Sequence, residues 1–181
     1  MKRSNLYLKQ IILLLGLSVC LSACKTQSEF FRTPFQDFTS DAFYFRAVGY
    51  GEDTDIQLAR SKAIHLAKVE MARNIRSVCQ QTITNYILQT STGDNVELKE
   101  KFESISTESI SESLAYVTVK DVVFKKEKND RYTCYAKIEM PTTHVRETLA
   151  GQSRDKIDLQ ADSFEQAYGK VLSEMNTPNT K

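Results

Sequence analysis

Two histidines, two mid-chain cysteines and a short run of carboxylates are the side chains here whose types could do chemistry. A thiol nucleophile needs an imidazole within hydrogen-bond reach. His65 and Cys79 fall on one helical pattern about four turns apart, roughly 20 Å, which is too far for that pairing. His144 would have to fold back to meet Cys134, and neither histidine has a second His or Cys at metal-ligand spacing. Glu52, Asp53 and Asp55 stand where a general acid–base pair or a Ca²⁺ site could form, but a helix start uses the same residue types as caps. Gly49-Tyr50-Gly51 lies between a strand pattern and a helix pattern, the place of a phosphate-binding turn. Thr54 replaces the third glycine of G-x-G-x-x-G, and Glu52 and Asp53 would repel a pyrophosphate, so no nucleotide is expected. Lys125, Lys126, Lys128 and Arg131 read as a solvated turn, or more sharply as a contact for anionic lipid or peptidoglycan. No catalytic residue, metal or cofactor is expected from these groups.

The N-terminus carries a different chemistry. Lys2, Arg3 and Lys9 precede the apolar run Ile11 to Leu17, too short for a spanning helix of about 20 residues and typical of a secretory signal peptide. The run closes on Leu21-Ser22-Ala23-Cys24, which resembles the bacterial lipobox. That resemblance implies diacylglyceryl attachment to Cys24, cleavage before it and acylation of the new amine. Several acyl chains, each CH₂ contributing roughly 0.8 kcal/mol, hold a protein on a membrane without ready exchange. Lys25 after the cysteine resembles the residue that lets a Gram-negative lipoprotein pass to the outer membrane, and no acidic export run follows. The expected location is therefore the periplasmic face of the outer membrane, with surface display as the alternative.

Processing changes the charge and cysteine counts. The full chain of 181 residues has Lys+Arg 24 against Asp+Glu 23. Residues 1–23 hold three cations and no carboxylate, so the mature chain is slightly acidic, which argues against a nucleic-acid partner. Cys20 leaves with the signal peptide and Cys24 takes lipid, leaving Cys79 and Cys134. One lies on a helix stripe and the other on a buried strand face, in an oxidising compartment, so the expectation is a disulfide across the helix–sheet interface, the alternative being two buried free thiols that never touch.

The elements that position these residues follow from periodicity. Residues 1–23 are the signal peptide, 24–41 the lipidated N-terminus and an aromatic tether, 42–150 an α+β domain, and 151–181 a C-terminal amphipathic helix and tail. The tether's Phe30, Phe31, Phe35 and Phe38 either pack along the domain or rest at the lipid interface. Alternation from Ala42 to Tyr50 predicts a strand ended by Gly49 and Gly51. Asp53, Thr54 and Asp55 then cap a long helix whose stripe runs Ile56, Ala59, Ala63, Ala67, Met71, Ile75, Val78, Cys79, Ile83 and Tyr86, with a break or projecting end near Thr82 to Thr90. Residues 96–113 read as helix and then extended chain. Tyr116 to Phe124 and Arg131 to Met140 read as an antiparallel hairpin with one buried face, and Pro141 to Gly151 as a short helix. Ile157, Ala161, Phe164, Tyr168, Val171 and Met175 form a heptad-like seam of under three repeats, expected first to dock on its own domain and otherwise a candidate docking helix for a partner or second copy. The fold class expected is α+β: a small antiparallel sheet against one long helix, with an additional C-terminal helix.

A family resemblance rests on Arg46-Ala-Val-Gly-Tyr-Gly51, the Ala59, Ala63, Ala67 and Ala72 helix, and the Tyr132 to Ile138 strand. Over roughly residues 42–140 the chain resembles the twenty-kilodalton outer-membrane lipoprotein (Lpp-twenty-like) family. The resemblance implies a small α+β fold, an outer-membrane or vesicle-associated location and no enzymatic activity; relatives serve as flagellar accessory proteins. The expected function is a non-catalytic structural, scaffolding or assembly module binding an envelope protein or itself. The alternative is a small-ligand or lipid-binding accessory with a cavity between helix and sheet.

Overall fold

Asp55 sets the start of the longest element. Its Oδ1 accepts the N–H of Gln57 and Leu58 at 2.7 and 3.0 Å, satisfying two of the donors that every helix start leaves open. The computed structural model describes residues 34–90, 96–127, 129–157 and 159–175; residues 1–33, with Cys24, lie outside them. The elements are β1 (Tyr44–Asp53), α1 (Ile56–Thr90), α2 (Val96–Ser113), a 3-10 turn (Leu114–Tyr116), β2 (Thr118–Lys126), β3 (Tyr132–Pro141), α3 (Thr142–Ile157) and α4 (Ala161–Glu174). All belong to one unit that begins at Asp37. The sheet is antiparallel in the order β1-β3-β2, which makes this the α+β fold the sequence implies.

β1 does not end at its glycines; it runs on to Asp53, with Gly49 opposite Ala136 and Gly51 opposite Cys134. The glycines are there for proximity. A Cβ on Gly49 would lie 2.1 Å from the Ala63 carbonyl oxygen and 2.2 Å from the Ala67 nitrogen, and one on Gly51 2.3 Å from the Ala59 carbonyl oxygen. Alanine every fourth residue on α1 meets glycine every second residue on β1, so the helix backbone rests on the strand backbone.

Beyond Ala67 the stripe of α1 changes to Met71, Ile75, Val78 and Ile83, and the helix builds the main core with Phe45, Ile138 and Met140 from the sheet. No break follows at Thr82, correcting that expectation. Thr82 is fully buried and donates its hydroxyl to the Val78 carbonyl at 2.8 Å, so α1 continues intact. α2 and α4 pack along this distal half, which is why a helix of this length need not project. Residues 96–113 are helical throughout; Phe102, Ile105, Ser106, Ser109, Ile110 and Ser113 form its inner face, the small serines seating it on α3.

α3 likewise runs through Gly151 to Ile157, because nothing there demands glycine: a Cβ would meet nothing within 4 Å. An interior helical glycine costs about 1 kcal/mol, too little to stop a packed helix. β3 alternates as expected, but β2 is exposed on both faces apart from partly buried Val122. α1 crosses β1 and β3 and leaves β2 to one side, so the hairpin's buried face is supplied by β3.

Candidate functional site

The expected Cys79–Cys134 disulfide is contradicted: both thiols are free and buried. Register explains why. Pairing with Gly51 puts Cys134 against Ala59 and Ala63, whereas Cys79 sits sixteen residues further along α1 in the main core. At about 1.5 Å per residue that is about 24 Å, far beyond the roughly 6 Å between bridged Cα atoms. Burial pushes the Cys79 thiol up to about 12, and burial raises that of Cys134 too, so neither is a ready nucleophile. With Cys24 blocked, both should stay silent to a disulfide-exchange thiol reagent in buffer and both react in denaturant. A pair silent in denaturant until reduced would restore the bridge.

The acidic triplet is fully engaged in local structure. Asp55 is the α1 cap, and Glu52 pairs with Arg131 at 2.8 Å. Asp53 accepts from Lys62 Nζ at 2.6 Å and from the Asp55 N–H, and these bonds hold its carboxyl down at about 2. The hairpin cations are paired as well: Lys125 with Glu127 at 3.0 Å and Lys126 with Asp130 at 3.0 Å, while Lys128 lies outside the described residues. Their surplus charge is thereby reduced, which weakens the anionic-surface reading. His65 is exposed on α1; His144 packs its ring 4.2 Å from that of Tyr116, with Nε2 buried and unpartnered. Among the described residues no carboxylate, thiol or hydroxyl pairs with either imidazole.

The proposed docking seam is occupied by the protein itself. Phe164, Ala167, Tyr168 and Val171 are buried, and the Tyr168 hydroxyl donates to the Thr142 carbonyl at 3.1 Å. Phe164 lies between Phe102 and Tyr168, at 6.2 and 6.1 Å between ring centres. Ile157 belongs to α3 and is partly buried, as is Met175, and Ala161 is exposed at the first turn of α4. Since α4 packs on α1, it is not a free seam.

Part of the tether packs along the domain. Phe38 lies on the sheet face opposite α1, with the Arg46 guanidinium 5.4 Å and the Lys137 ammonium 5.5 Å from its ring centre. The Ser40 hydroxyl donates to the Arg46 carbonyl and accepts the Arg46 N–H, closing the open edge of β1. Asp41 pairs with Arg46 and accepts the Phe43 and Tyr44 N–H groups at 2.8 and 2.9 Å.

The alternative small-ligand reading needs a cavity between helix and sheet, but the glycine–alanine contact fills that interface. A cleft of about 190 Å³ lies instead between α1 and α2, over Ile83 and Phe102, with Arg76, Lys99 and Glu103 at its rim. A second feature the sequence reading missed is the uncovered flank of β2 beside Arg60, Ile64 and Lys68. The i, i+4 spacing of those three residues along one side of the alanine stripe was its only sequence signal. No family model, no curated protein and no solved structure matches the chain.

Proposed function

We propose that this chain is an outer-membrane lipoprotein, anchored through lipid on Cys24 and facing the periplasm, whose α+β domain acts as a non-catalytic scaffolding or assembly module. The observation that carries the reading is Leu21-Ser22-Ala23-Cys24 behind a basic start and a short apolar run. The resemblance of residues 42–140 to the Lpp-twenty-like family points the same way. So does the use of the domain's charged and nucleophilic groups, which cap helices, pair locally or lie buried in packing. The stapling of Phe38, Ser40 and Asp41 onto β1 suits a domain held from its N-terminal side.

A small-ligand role would use the cleft between α1 and α2, where two cations flank an apolar floor. A lipid or metabolite co-purifying with the protein and lost on Arg76→Glu with Lys99→Glu, at the rim of the cleft, with the fold retained, would favour that second reading. For the anchor, Cys24→Ala expressed in a Gram-negative host is expected to leave the outer-membrane fraction. Retention of the variant in that fraction would contradict lipid anchoring.

A further inference from the structure

We propose that the recess between α1 and β2 docks an acidic amphipathic helix of a partner protein. A helix is about 10 Å across and strands lie about 4.8 Å apart, so one helix covers two strands of a three-stranded sheet. α1 covers β1 and β3, and the third strand is left bare on the α1 side. Strand register assigns that side: Phe124 stands opposite Cys134, Val122 opposite Ala136 and Val119 opposite Ile138, all of them partners on the α1 face of β3. Phe124 and Val119 are 40% and 37% exposed, while Val122 and Ile64 pack partly against the alanine contact. The floor is therefore apolar, with one wall formed by α1. The eight residues from Val119 to Lys126, at about 3.3 Å each, give a seat as long as a helix of about 17 residues.

Charge selects the occupant. On the wall, Arg60 has no carboxylate partner among the described residues, and Lys68 Nζ donates only to the Leu114 carbonyl, at 3.2 Å. Arg60 follows Ala59, which packs with Cys134 and Ala136, and stands one helical turn before Ile64, which packs against the same group beside Val122. Lys126, on the same face as Phe124, lies 5.9 Å from the Tyr132 ring centre and pairs with Asp130. The nearest carboxylates of β2 and β3 turn the other way: Asp121 pairs with Lys137, and Glu139 with Lys120 and Arg46. Three cations against Asp130 make a basic rim around an apolar floor, complementary to an apolar stripe flanked by Glu or Asp. A bilayer is a poor fit, because the floor lies a helix diameter below the crest of α1.

The proposal deepens the binding-module reading and rests on it, but involves no residue of the anchor, so each can fail alone. The test uses the full chain in detergent and a fluorescently labelled helical peptide of about 18 residues, with a leucine stripe flanked by glutamates. A peptide with lysine flanks serves as the control. Anisotropy should show binding of the acidic peptide only, weakening as salt rises. Phe124→Asp, or Arg60→Glu with Lys68→Glu, should weaken it about tenfold or more, the order expected when an interface anchor is lost. Val123→Asp, on the opposite face, should leave binding unchanged. Circular dichroism checks the fold of each variant, and the Arg60/Lys68 pair keeps the test decisive if Phe124→Asp does not fold. Equal binding of both peptides, or unchanged binding in the folded variants, overturns the proposal. So does a dimer that Phe124→Asp dissociates in ultracentrifugation, which assigns the recess to a second copy. Flotation with anionic vesicles that depends on Phe124 would likewise overturn it in favour of lipid.

Discussion

Gly49→Val is expected to leave no folded domain, and Gly49→Ala to lower the free energy of unfolding by about 3 kcal/mol, the upper range for forcing one methyl into a packed interior. The added Cβ would fall 2.1 Å from the Ala63 carbonyl oxygen and 2.2 Å from the Ala67 nitrogen. Both are backbone atoms of a helix packed along its whole length, so no rotamer change can make room. The strand and α1 would have to separate, opening the alanine contact at one end and the Phe45, Met71 and Ile138 core at the other. Truncating Ala67 to glycine should not rescue Gly49→Ala, because the clash is with main chain. Urea unfolding measures all three. A Gly49→Ala protein as stable as the wild type would mean that α1 does not rest on β1 in this way.

Phe164→Ala should cost about 3 to 4 kcal/mol, the range for a buried phenylalanine, and Phe164→Asp should prevent α4 from docking at all. Phe164 is 2% exposed and touches the rings of Phe102 and Tyr168, so its loss opens a cavity where α2, α4 and α1 meet. Ala161→Asp, on the exposed first turn of the same helix, should change stability by less than about 0.5 kcal/mol. That contrast separates a helix belonging to its own core from one reserved for a partner, in which neither substitution would shift the unfolding midpoint. If Phe164→Asp melts like the wild type and only loses a partner, α4 is a docking helix after all.

What could be read from the sequence is what local spacing dictates. The alanines at 59, 63 and 67 specified a helix able to approach a backbone, and alternation from Tyr132 to Met140 gave the central strand its two faces. Asp55 was recognisable as a cap by its type and place. Gly49 and Gly51 were misread as strand terminators because their reason is a non-local contact with Ala59, Ala63 and Ala67. Gly151 was misread for the opposite reason: nothing in the structure needs it to be glycine, and packing carries α3 past it. The disulfide failed on register. Knowing that Cys79 and Cys134 both face inward says nothing about how far along α1 each lies, which depends on pairing Cys134 with Gly51. The recess beside β2 was hidden because it depends on which two of three strands α1 covers, and the strand order β1-β3-β2 sets that.

The same division holds for function. The proposed anchor signal is local, running from Lys2 to Cys24. The proposed docking recess is assembled from α1 and β2, which lie far apart in the chain and meet only through the fold.

The N-terminus of the mature protein tests the proposed anchor most directly, and mass spectrometry of protein purified from the membrane fraction reads it. The result expected is a chain beginning at Cys24, with a diacylglyceryl thioether on its sulfur and an acyl amide on its amine. A chain beginning elsewhere, or one in which Cys24 carries a free thiol, would contradict it.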